Sequence, residues 1–168
     1  MTLALQRRRV HDEWVTENIT LTELTYEECL ALLRQEKVGR IAVIADPFPL
    51  VFPVNYRIVE ASGPSDEPGH VWIAIRTRRG NTIDRGGRFV SFQIDGRHEG
   101  TRLGWSVLVT GTLHCVDVDA SDFRARYDPD PWLLEDRDQW LVIHPVQTTG
   151  RSLSGDPSEW AFVGEAYL

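Results

Sequence analysis

Residues 76–82 read Arg-Thr-Arg-Arg-Gly-Asn-Thr, a concentration of hydrogen-bond donors with no acid among them. A guanidinium is a planar fork that grips an oxyanion through two bonds, and hydroxyl, amide and backbone N–H groups add further donors. Such a set suits a phosphate held where a strand gives way to the first turn of a helix. A basic turn at the end of a surface strand is the plain alternative. The residues just before it, Val71-Trp72-Ile73-Ala74-Ile75, alternate and are β-branched or aromatic, so they form the strand that carries the basic group.

Other chemistry finds less support. There is no G-x-G-x-x-G after a strand, no P-loop, no G-x-S-x-G elbow and no H-E-x-x-H. The histidines, His11, His70, His98, His114 and His144, lack the paired spacing of metal ligands. His114 and His144 fall on strands, where a hydrogen-bonded structural role is expected. Asp128 and Asp130 alternate with prolines and read as turn chemistry rather than an acid–base dyad.

The elements that must position the basic stretch follow from periodicity. Thr25 and Glu28 have capping-box spacing, and Tyr26, Cys29, Leu30 and Leu33 then share a helical face, with Gly39 as the stop. Ile41–Ala45 and Leu50–Val59 flank Asp46-Pro47-Phe48-Pro49, an antiparallel hairpin by its short connection. Pro53 cannot donate to a ladder, so an edge, a bulge or a ligand-facing gap is expected there. Residues 61–70 form a loop. Arg88–Asp95, Trp105–Val116 (with a bend or bulge at Gly111) and Gln139–Val146 are further strands. Ala120–Tyr127 is a short helix; a Gly/Ser-rich turn and an apolar tail, Trp160–Val163, end the chain. Many strands on short loops favour a closed antiparallel barrel, since closure removes exposed edges. The domain division is an arm over 1–23 and one domain over 24–168.

Length and composition bound the partners. A chain of 168 residues, 42% hydrophobic and 26% charged, is one soluble domain with a real core. A formal charge of −7 argues against general binding to nucleic acid or an anionic membrane. Two cysteines, Cys29 and Cys115, make no disulfide framework, and Arg7-Arg8-Arg9 is followed by no apolar run, so the cytoplasm is the default compartment. Cys29 belongs to the core.

Several segments taken together resemble a known family. Gly39-Arg40-Ile41-Ala42-Val43, Pro53-Val54-Asn55-Tyr56, Ile75-Arg76-Thr77-x-x-Gly80, Val90–Asp95 and Gly104-Trp105-Ser106-Val107-Leu108-Val109-x-Gly111 occur in order, with Thr149-Gly150-Arg151 after them. They are similar to the pyridoxamine 5′-phosphate oxidase-like, FMN-binding split-barrel family, and more narrowly to its nitroimidazole-reductase-related branch. The resemblance implies a mainly β fold, a six-stranded antiparallel Greek-key split barrel with flanking helices, that forms a homodimer with flavin in clefts at the interface. It puts phosphate contacts on Arg76, Thr77, Gly80, Asn81 and Thr82. The backbone of Pro53, Val54, Asn55 and Tyr56 would lie along the isoalloxazine edge, with Trp105 and Ser106 in the pocket wall or on the partner's side. Tyr56 and Trp105 are candidates for stacking on substrate. Thr82 stands where relatives commonly carry lysine, and Asp84-Arg85-Gly86-Gly87 cuts the following helix short.

The implied function is an FMN-dependent reductase or oxidase, taking hydride from a nicotinamide donor and passing electrons to a small-molecule acceptor such as a nitroaromatic, a quinone or oxygen. The alternatives are a non-catalytic module for flavin, deazaflavin or haem (with His114 or His144 as the strand-borne axial options), and, ranked last, pyridoxamine 5′-phosphate oxidation.

Overall fold

Thr25 opens the one long helix among the residues described, which in this computed structural model are 7–10, 13–16, 20–60, 71–85, 89–99, 103–116, 128 and 139–155. The capping box forms as the spacing requires: Glu28 N–H donates to Thr25 Oγ1 at 3.3 Å, and Thr25 N–H donates to Glu28 Oε2 at 2.7 Å. The helix, α1 (Tyr26–Gln35), buries Cys29, Leu30 and Leu33, while Tyr26 lies at its exposed margin rather than on the packed face.

The strands are β1 (Arg7–Val10), β2 (Glu13–Thr16), β3 (Thr20–Leu24), β4 (Val38–Ala45), β5 (Phe48–Glu60), β6 (Val71–Thr77), β7 (Phe89–Arg97), β8 (Gly104–Val116) and β9 (Gln139–Ser154), with a single-turn helix α2 (Thr82–Arg85) between β6 and β7. Among the described residues β1 and β2 pair only with each other. The remaining order is β3-β9-β6-β5-β4-β7-β8, and β8 also pairs with β9. That last ladder closes β4 to β9 into a six-stranded antiparallel barrel, with β3 added outside. β6 and β7 follow one another in sequence but not in the sheet, so the α2 connection is the crossover of the Greek key.

Alternation sets the inside. Ile41 and Val43 of β4, Val90, Phe92 and Ile94 of β7, Val107 and Val109 of β8 and Ile73 and Ile75 of β6 fill the core. Tyr56 is enclosed with them, edge-on to Phe92 at 4.8 Å between centroids, and its hydroxyl donates to the Leu33 carbonyl at 2.8 Å. This buried bond joins α1 to β5, beside the packing of Cys29, Leu30 and Leu33 and the exposed Arg34–Glu60 ion pair. Burial pushes the phenol's pKa well above its usual value, with the nearby Glu36 charge adding to the shift.

Three expectations need correction. Gly39 does not stop the helix, which ends with Glu36 as its C-cap. It lies inside β4, where the Phe92 ring occupies the space a side chain would need. No turn interrupts the chain after Val146, because β9 runs on through Gly150 to Ser154, and the Cys29 thiol packs where a Gly150 side chain would stand. The arm's last residues, from Thr20, are strand β3, registered on β9 as Leu24↔Gly150. The hairpin β4–β5 and the irregularity at Thr110/Gly111 stand where the sequence puts them. The helix over 120–127, the loop over 61–70 and the tail over 160–163 lie outside the described residues.

Candidate functional site

The ladder between β5 and β6 ends early. Its register runs from Glu60↔Val71 to Tyr56↔Ile75, after which Arg76 and Thr77 stay paired with Trp140 and Gln139 of β9. β5 from 48 to 55 keeps β4 as its neighbour and has none on the β6 side among the described residues. The barrel is therefore forked. Pro53 sits on the open limb, where its missing N–H costs no ladder bond.

The basic turn hangs from the other limb. Asn81 N–H donates to the Arg78 carbonyl at 3.3 Å, and Gly80 has φ 74°, the left-handed geometry that the third position of a type II turn demands. The tight turn returns Asn81 to Thr77, whose hydroxyl accepts from Asn81 Nδ2. Arg78, Arg79 and Thr82 are exposed, and Gly80 and Asn81 half-buried, so donors face outward around the turn.

The fork gathers Pro53, Val54, Asn55 and Tyr56 with Arg76, Thr77, Gly80, Asn81 and Thr82, but the side chains point different ways. Thr77 is buried on the inner face. Val54 is likewise buried, and at Tyr56 the ring is locked in the core while the N–H already donates to the Lys37 carbonyl. A stacking role for the Tyr56 ring is thereby overturned. Arg76 faces outward, its guanidinium 5.4 Å from the centroid of the Trp140 ring. Its Nη1 donates to Asp128 Oδ2 at 2.7 Å, and Arg57 Nε donates to the Asp128 carbonyl at 3.2 Å.

Trp105 and Ser106 do not join this group within one chain. They lie on β8, across the barrel from β5 by way of β4 and β7 or of β6 and β9. The Trp105 indole covers Gly96, whose Cβ would come within 2.5 Å of its Cζ2.

Sequence reasoning missed Arg40, Arg57 and Asp128 as neighbours of the site. Arg40 is directly opposite Pro53 and so shares its outer face, with its guanidinium bound to Asp95 and Gln93. Only the register reveals this, because nothing in the spacing of 40, 53 and 95 does. His114 and His144 stack on each other at 4.3 Å and His144 on Trp72 at 4.5 Å, while the Thr112 hydroxyl meets His114 Nε2 at 2.9 Å. No cluster of three metal-ligating side chains occurs among the described residues, and no helix there is long and apolar enough to cross a membrane.

A forked six-stranded antiparallel barrel with a basic glycine turn at the fork has the architecture of a split barrel. The chain belongs to the pyridoxamine 5′-phosphate oxidase family, whose profile matches residues 25–152. It is 29% identical over 140 residues, 81% of this chain and 88% of the other, to the uncharacterised Mycobacterium tuberculosis protein Rv0080. Among solved structures it is similar to a candidate pyridoxamine 5′-phosphate oxidase of Corynebacterium glutamicum, with 26% identity, a TM-score of 0.65 and coverage of 81% of this chain and 95% of that one. It shares its fold with an FAD-binding protein of Mycobacterium smegmatis, at 24% identity, TM-score 0.55, and 79% and 98% coverage.

Proposed function

We infer that this chain binds a flavin at the fork and works as an FMN-dependent oxidoreductase, passing electrons from a nicotinamide donor to a small acceptor such as a nitroaromatic, a quinone or oxygen. The observation that carries the reading is the open β5 limb facing a basic glycine turn. A strand edge with no neighbouring strand among the described residues suits the polar rim of a flat heterocycle, and the turn's amides and guanidiniums suit a phosphate. The FAD-binding neighbour supports a flavin without choosing among flavins.

The residues present fit such a group. Asn55 backbone and the Pro53 carbonyl would meet the ring edge, and Arg78, Arg79, the turn amides and the Thr82 hydroxyl would meet the phosphate. When bound, flavin supplies two-electron transfer at its N5; the chain's work is to bind, orient and exclude water. Arg40, beside Pro53 and charge-balanced by Asp95, would hold positive charge near the ring without making the face strongly cationic.

A second copy of the chain completes the reading. Ile44, Val51 and Phe89 lie near one another on the outer face of β4, β5 and β7 and are all exposed, with Leu108 exposed on the same face of β8, which leaves apolar surface there to be covered. A homodimer through this face would cover the patch and bring a partner's surface over the open limb.

The test is the visible spectrum of the protein reconstituted with FMN and desalted, followed by NADH and NADPH oxidation with a nitroaromatic or quinone acceptor. A retained flavin double band and acceptor-dependent turnover are expected. Protein that stays colourless and leaves flavin fluorescence unquenched overturns the reading; a flavin band without turnover leaves a carrier.

A further inference from the structure

Asp128 makes an unusual pair of contacts. Two arginines from adjacent strands converge on it: Arg57 on β5 and Arg76 on β6, both on the outer face. One binds its backbone carbonyl and the other its carboxylate, so a single residue presents two oxygens to two guanidiniums. Arg76 is only 22% exposed and stacks over Trp140, so its charge is less screened than those of the exposed Arg78 and Arg79. It is also the last outward-facing residue of β6 before the basic turn, one residue past the point where the β5–β6 ladder stops.

We propose that Asp128 is an internal stand-in for a phosphate monoester: it occupies the Arg76–Arg57 guanidinium pair, and an incoming flavin phosphate takes those guanidiniums by displacing it. This rests on the flavin reading above and concerns how that same site is regulated. The chemistry is exchange of one oxyanion for another, with no bond made or broken. A dianionic phosphate offers as many acceptor oxygens as the carboxylate and carbonyl together and carries up to twice the carboxylate's charge, so the exchange is favourable once the rest of the ligand is anchored at the fork. Displacement of Asp128 then becomes a coupling between ligand and chain, and such coupling is reciprocal. Whatever Asp128 subtracts from phosphate affinity, a bound phosphate subtracts from Asp128's hold on the sheet. Thr82 gains a reason as well: with no lysine after the glycine turn, the partly buried Arg76 and Arg57 are left to take the charge.

The experiment compares FMN, riboflavin and inorganic phosphate binding to the full chain and to Asp128→Asn by calorimetry. Asp128→Asn is expected to tighten FMN by about fivefold, the low end for coupled sites because the pair is partly exposed, and to leave riboflavin unchanged. An unchanged ratio of FMN to riboflavin affinity overturns the proposal while the flavin reading stands. If neither flavin binds but the variant still tightens inorganic phosphate, the flavin reading falls and the anion exchange survives; if phosphate too is indifferent to the variant, both fall. A measurement on the unaltered chain guards against a variant that does not fold. Amide exchange in the peptide containing Asp128 should quicken on adding FMN and not on adding riboflavin, and equal protection with both ligands overturns the exchange.

Discussion

Gly39→Ala separates two accounts of why a glycine stands between the helix and the barrel. If Gly39 were a helix stop, a methyl group would be penalised through the backbone, whatever its neighbours. In the structure the obstacle is one ring. A Cβ at position 39 would lie 2.7 Å from Phe92 Cε2 and 3.0 Å from Cε1, with Cζ nearer still. Phe92 cannot swing away, because it is fully buried and held edge-on by Tyr56. Overpacking of this kind costs about 1–3 kcal/mol, which for a chain of this size lowers Tm by roughly 4–8 °C at a cost of about 2 kcal/mol. Leucine has none of the three obstructing atoms. In a Phe92→Leu background the same Gly39→Ala change should become neutral or stabilising by ~0.5 kcal/mol, the ordinary gain of alanine over glycine inside a strand. Urea denaturation of the four proteins of this cycle reads the coupling directly, expected at about 1.5–3 kcal/mol. A Gly39→Ala cost that is the same in both backgrounds refutes the steric account and restores the backbone one.

Tyr56→Phe removes the hydroxyl that meets the Leu33 carbonyl and should cost about 1–2 kcal/mol by denaturation, since a buried acceptor is left without its donor; no loss would mean that α1 is anchored elsewhere. The pH dependence follows from the raised phenol pKa. Between the unfolded and folded values the folded chain keeps the proton that the unfolded chain gives up, so the Tyr56 contribution is complete below about pH 10 and declines as pH rises above it. The unaltered chain should therefore lose stability above that pH more steeply than Tyr56→Phe, and parallel curves would contradict the burial argument. Gly80→Ala places a side chain at φ 74° and should cost about 1–2 kcal/mol while weakening FMN more than riboflavin, because the turn that aims the phosphate donors is strained; equal weakening of both ligands would detach the turn from the phosphate.

What could be read in advance depended on the range of the interaction. The capping box at Thr25 and Glu28 is a contact between residues three apart, and it formed as spacing requires. Alternation gave the strands of the barrel, since each core face is fixed by the period of its own segment. Pro53 was legible for the same reason: a missing N–H must lie at an edge, whichever strand its neighbour is. Glycines were harder to read. Gly39 and Gly150 serve close approach, to Phe92 and to Cys29, across sequence distances no local pattern encodes. Gly80 serves backbone angle, and the turn residues around it say so. The same limit hid Arg57 and Asp128, which become neighbours of Arg76 only when β5 and β6 pair and Asp128 comes to meet both arginines.

That limit bears on the proposed phosphate corner as well. Counting cations along Arg76-Thr77-Arg78-Arg79 suggests that the lysine which the family resemblance would put at position 82 is amply replaced. Their placement says otherwise. A guanidinium in open water gains little from an ion pair, because solvent screens it and its long side chain must be ordered. Arg78 and Arg79 are of that kind. Arg76, flanked by the Trp140 ring and partly withdrawn from solvent, is the charge an oxyanion would feel most, and it is held by the chain's own carboxylate. The affinity of the corner therefore turns less on the number of arginines in the motif than on the competition for one of them.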